Sequence, residues 1–159
     1  MRKHVRIFAV LTVCALAFGA WTMLNAQNQN QGNGFSGGTY LTTITDANTN
    51  AFASRSVITL SADHAMSSID SGQGGPAFQF SSQMGTWANP ASGVVGRTLD
   101  FSFPSAGIAR VDYVFTTINK DTASGTITLT VFGLNDDPQG SGGTVAGHFN
   151  FTGVKVTAQ

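Results

Sequence analysis

The sequence predicts an all-β domain, an eight-stranded antiparallel up-and-down barrel, with a two-sheet sandwich as the alternative architecture. Three observations carry this. From Gly38 onward, β-branched and aromatic residues alternate with polar ones at period two. No window repeats apolar residues at the i, i+3, i+4, i+7 spacing of an amphipathic helix. Clusters of Gly, Pro, Asn and Asp punctuate the alternating runs at short intervals, which suits hairpins rather than crossovers. Sequential strands joined in this way favour closure, because a closed sheet has no exposed edges. Eight strands enclose an interior that side chains fill or that holds one small ligand.

The expected strands run near 38–46, 53–62, 64–70, 79–88, 94–103, 109–118, 124–132 and 145–157. In Thr98-Leu99-Asp100-Phe101-Ser102-Phe103 the odd positions are apolar and the even ones polar, so the odd face is expected inside and Asp100 in water. Val111, Tyr113 and Phe115 alternate with Asp112, Val114 and Thr116, and Ile58 and Leu60 share one side of their strand. In Ser124–Val131 the threonines are expected outward. Ala62-Asp63-His64-Ala65 reads as a tight hairpin, with Asp63 and His64 at its centre. The stretches 71–76 and 135–143 read as long mobile loops. Gly153 interrupts the last strand where the apolar phase passes from Phe149 and Phe151 to Val154 and Val156, which suggests a β-bulge.

Residues 1–26 have the layout of a secretory signal peptide: basic Arg2, Lys3 and Arg6, an apolar run from Ile7 to Trp21, and a small residue at Ala26 before a polar shift. Export to the periplasm or the exterior is the expectation, with a retained anchor as the alternative. Residues 27–37, rich in Gln, Asn and Gly, bury too little to offset their ordering entropy and read as a disordered linker. Residues 38–159 form the single β-barrel domain.

Composition excludes several function classes. The single cysteine, Cys14, lies in the leader, so a mature chain carries neither a disulfide scaffold nor a cysteine nucleophile. Past the leader, five basic residues face eight aspartates and no glutamate, a net charge of −3. That balance opposes binding driven by phosphate neutralisation, so no nucleic-acid partner is expected. Exposed Arg110, Asp100 and Asp112 and the runs of Ser and Thr argue against a barrel embedded in a membrane.

The residues Gly85-Thr86-Trp87, in a small Gly-rich β chain, resemble the Gly-x-Trp motif of the calycin group, and the layout resembles lipocalin and allene oxide cyclase barrels. In lipocalins this motif belongs to the first strand, whereas Trp87 falls near the fourth. The resemblance implies a barrel and binding of a hydrophobic ligand, and it places no catalytic residue. The span from Thr59 to Phe115 is also similar to small exported bacterial proteins, a likeness that implies no activity.

Candidate chemistry is sparse. His64 fits a turn, and His148 fits the outer face of the last strand. Neither has metal-ligand spacing, and no cofactor or metal site is expected. Asn135-Asp136-Asp137 lacks the alternating oxygen ligands of a calcium loop and reads as a solvated turn. A Ser-His-Asp set from a serine, His148 and Asp112 has no supporting motif. Arg97, Asp100, Arg110 and Asp112 read as exposed cross-strand ion pairs, with a polar cluster at a barrel mouth as the functional alternative. The leading expectation is a binding module in which inward Trp87, Phe101, Phe103, Tyr113, Phe115, Phe149 and Phe151 enclose a small apolar or aromatic ligand. The alternatives are a structural or interaction protein of the cell envelope with a solid core and, third, a cyclase-type enzyme.

Overall fold

A computed structural model describes residues 35–74 and 79–158. The signal-peptide segment and most of the 27–37 linker lie outside the described residues. The linker's last part does not: Phe35 packs edge-on against Trp87, with ring centroids 5.4 Å apart.

The domain is all-β, with no helix among the described residues. Its strands are β1 Gly38–Asp46, β2 Phe52–Leu60, β3 Ala65–Asp70, β4 Gln79–Phe80, β5 Gln83–Ala88, β6 Val95–Phe103, β7 Gly107–Ile118, β8 Thr122–Gly133 and β9 Thr144–Lys155. Each long strand pairs antiparallel with its neighbours in sequence, and β1 pairs with β9, so eight strands close into a barrel. The ninth, β4, is the detached start of β5. Where an unbroken strand 79–88 is expected, the ladder is interrupted: Ser81 N–H donates to Phe101 O, and Phe101 N–H donates to the Ser81 hydroxyl. A side-chain oxygen there takes the place of the next backbone carbonyl, and the strand breaks.

Closure fixes which face of each strand turns inward, since a one-residue slip would reverse every side chain. Tyr40 pairs with Ile58, Ile58 with Ser68 and Ser68 with Gln83; further round, Thr98 pairs with Val111 and Val111 with Leu129. On β7 and β2 the expected phase holds, with Val111, Tyr113, Phe115, Ile58 and Leu60 buried. On β6 it is inverted. Thr98, Asp100 and Ser102 are buried, while Phe101 and Phe103 are about half exposed on the outer wall. The reason is parity: Gly96 faces Tyr113 and Thr98 faces Val111 across the β6–β7 ladder, so Phe101 falls beside Ile108 on the outside.

The bulge expected at Gly153 is absent. Gly153 continues the ladder opposite Thr42 and turns inward with Phe149 and Phe151, which leaves Val154 outside. An irregularity lies instead on the β8–β9 ladder between Leu129 and Thr130. The β2–β3 hairpin also differs from expectation. Its turn spans Ser61 to His64, closed by His64 N–H to Ser61 O, and only His64 takes a left-handed conformation, at φ 67°.

Candidate functional site

Two places have the makings of a site: the polar half of the interior and a groove on the outer wall.

Of the seven residues expected to line a ligand cavity, Trp87, Tyr113, Phe115 and Phe151 are brought together in the interior, and Phe149 packs against them partly buried. Phe115 and Phe151 meet edge-on at 5.2 Å, and Tyr113 meets Phe151 at 6.2 Å. Phe101 and Phe103 are not part of the set, for the reason of parity given above. Tyr40, Leu60, Met66 and Tyr113, at the centre, are only 0–2% exposed, so these side chains pack closely against their neighbours. The centre of the barrel is closely packed.

Gly85 and Gly96, beside Trp87, are packed against neighbouring atoms. A Cβ at Gly85 would strike the Arg97 carbonyl oxygen, and one at Gly96 would strike the Met66 sulfur. These glycines let neighbouring backbone and a core side chain approach closely. Trp87 itself is pinned: its indole N–H donates to Ser61 O at 2.8 Å, and His64 lies against its ring at 4.7 Å.

One half of the interior is polar. Gln83 Oε1 accepts from the Tyr113 hydroxyl at 2.6 Å and the Thr98 hydroxyl at 3.1 Å, and the Ser56 and Ser68 hydroxyls meet at 2.6 Å. Asp100 adjoins this set, although the alternation on β6 predicts it on the wet face. It is 4% exposed, and its Oδ1 has no hydrogen-bond partner. Burial pushes its carboxyl up to about 6, and burial likewise holds the Tyr113 phenol above its ordinary value.

The groove lies outside, on β5, β6 and β7. The ladders place Thr86, Arg97 and Asp112 in one outward row, and Ala88, Val95 and Val114 in the next. Gln139, from the β8–β9 loop, completes a groove of about 480 Å³. Arg97 Nε donates to Asp112 Oδ1, and its Nη1 reaches Gln139 Oε1 at 3.4 Å. Arg110 Nε approaches the other Asp112 oxygen to 2.9 Å without hydrogen-bond alignment. Arg110 Nη1 donates to the carbonyls of Pro138 and Gly140 at 2.9 and 2.8 Å, and its guanidinium sits 5.1 Å over the Phe132 ring. The β8–β9 loop, expected to be mobile, is therefore tied to the wall. Asp136 and Asp137 serve its turns, accepting from Gly133 N–H and Gln139 N–H.

The expected ion pairing is thus partly realised: Arg97 and Arg110 share Asp112 on the outer wall, and Asp100 takes no part. The same row continues from Asp112 through Thr128 to His148. His148 Nδ1 lies 3.3 Å from Thr128 Oγ1, and both Asp112 oxygens face arginines, so Asp112 does not orient the imidazole. Among the described residues no cluster of three His, Cys, Asp or Glu side chains gathers as a metal site.

No protein-family model matches the chain, and no curated protein or solved structure matches it either.

Proposed function

We propose that this chain is an exported, non-catalytic binding protein. Its barrel is a filled scaffold, and its small apolar or aromatic ligand sits on the outer wall. The observation that carries this reading is the contrast between the two candidate places: the central inward side chains are closely packed, whereas the β5–β7 wall carries a groove of about 480 Å³. That volume is within the range of small-molecule sites, roughly 300–1,000 Å³. Its apolar row, Ala88, Val95 and Val114, supplies contact area, and Arg97, Asp112 and Gln139 supply polar groups that fix orientation. The signal-peptide layout of residues 1–26 supports a site of action outside the cytoplasm. The charged row on the outer wall supports a barrel that does not span a bilayer.

The test is a thermal-shift screen of apolar and aromatic compounds against the wild type, Val114→Asp and Tyr113→Phe. A compound that stabilises the wild type is expected to lose its effect in Val114→Asp and keep it in Tyr113→Phe. An effect that survives Val114→Asp and disappears in Tyr113→Phe would return the ligand to the interior. No effect with any compound would remove the reading.

A second reading rests on a different part of the wall. Leu41 is paired with both Val57 and Val154, and Val57 with Ile69, an outward apolar row across four strands. Val154 and Ile69 are each about 60% exposed. Such a row favours an interaction protein of the envelope. Sedimentation that shows assembly in the wild type and none in Val57→Lys would support it.

A further inference from the structure

We infer that the groove on β5–β7 selects an organic carboxylate, an acid with a compact apolar body, and that Arg97 is the specificity-determining residue. This rests on the outer-wall reading above and names its ligand class.

The chain past its leader is net negative, yet here two guanidinium groups converge on one carboxylate, Asp112. The local balance is one positive charge in excess. Arg110 does not offer that excess to a ligand, because its side chain is only 13% exposed and is committed to the Pro138 and Gly140 carbonyls and the Phe132 ring. The two acidic side chains of the β8–β9 loop, Asp136 and Asp137, accept from backbone amides there and ion-pair with neither arginine among the described residues.

Arg97 is the group left over. Its side chain is 41% exposed, its Nε is engaged by Asp112, and its Nη1 makes only a long contact with Gln139. Its Nη2 donates no hydrogen bond among the described residues. A guanidinium anchored at one edge presents its remaining N–H groups in a fixed plane, and that geometry matches a carboxylate. Next to it lies the apolar row of Ala88, Val95 and Val114, which takes the ligand's body. A neutral ligand would fill the same row and leave the guanidinium to water.

The experiment uses 2-naphthoate and its uncharged counterpart 2-naphthamide, titrated by calorimetry against the purified protein and the variants Arg97→Gln, Arg97→Lys and Val114→Asp. In the wild type the acid is expected to bind at least about tenfold more tightly than the amide, a difference of about 1.4 kcal/mol. Arg97→Gln is expected to abolish that preference, bringing the affinity for the acid down to that for the amide. Arg97→Lys, which keeps the charge and loses the planar fork, is expected to retain part of it. Raised salt is expected to weaken the acid alone. Equal binding of acid and amide, or a preference that persists in Arg97→Gln, would overturn the inference and leave the outer-wall reading standing, provided Val114→Asp blocks both probes. Binding of neither probe would overturn the inference together with the reading on which it rests.

Discussion

Asp100 shows most clearly how one residue's environment becomes a measurable property. Its carboxyl is buried on the inward face of β6 with Oδ1 unpartnered, and burial pushes it up to about 6 from an ordinary value near 3.8. Below pH 4 the group is protonated in both the folded and unfolded states. Between pH 4 and 6 the unfolded chain gives up its proton first, so stability falls as pH rises; above that range the loss is complete and the curve is flat with respect to this group. The loss amounts to about 2–3 kcal/mol for a shift of this size. Asp100→Asn is therefore expected to raise stability at pH 7.5 by a similar amount and to flatten the pH 4–6 region. Urea unfolding at a series of pH values measures both.

Two left-handed residues make a matched pair at the same scale. Asn50, at φ 58°, is exposed and its side chain makes no hydrogen bond to another described residue, so Asn50→Gly is expected to change stability by no more than about 0.5 kcal/mol. His64 shares the strain at φ 67°, but its ring rests on Trp87 and its Nδ1 lies 3.2 Å from the Trp87 carbonyl oxygen. Those contacts outweigh the relief of strain, and His64→Gly is expected to destabilise by about 1 kcal/mol. Equal effects in thermal unfolding of the two variants would show that the imidazole contact contributes nothing.

At the scale of elements, the β8–β9 loop is the largest departure from the sequence reading. Its glycines and paired aspartates suggest mobility, and nothing local in 134–143 says otherwise. The restraint comes from Arg110, more than twenty residues earlier in the chain, which reaches the loop only because β7 and β8 are paired. Gly143 then closes over Phe132 and Thr130. Arg110→Ala removes two charge-assisted hydrogen bonds and the contact with the Phe132 ring, and it is expected to destabilise by about 1–3 kcal/mol. Limited proteolysis of that variant is expected to cut within 134–143 before any other described segment. Unchanged resistance would mean that the loop holds itself.

The inversion of β6 has the same kind of cause. Alternation in Thr98–Phe103 specifies two faces and a period, and both are present. It does not specify which face turns inward. Hydrophobicity favours the phenylalanines, but ladder parity is set by the whole circuit, and Gly96 beside Tyr113 puts Thr98, Asp100 and Ser102 inside. A strand cannot be phased alone when it belongs to a closed sheet.

For the whole molecule, the barrel itself was legible from the sequence. Period-two runs and turn residues place the long strands within a few residues of their observed ends, and the absence of crossovers points to an up-and-down order that closes β1 onto β9. Whether eight strands enclose space was not legible, because it depends on how Tyr40, Met66, Phe115 and Phe151 interlock across the interior. The groove was half legible. Arg97, Arg110 and Asp112 stand out as cross-strand partners, but Gln139 joins them only through the fold of a loop.

The central claim is that the scaffold is filled and that binding occurs on its outer wall. Methyl chemical-shift mapping by NMR, with 2-naphthoate added to the purified protein, tests it most directly. The account predicts shifts at Thr86, Ala88, Val95 and Val114, with Ile58, Leu60, Met66 and Ile127 unmoved. Shifts concentrated at those interior methyls, with the outer row silent, would contradict it.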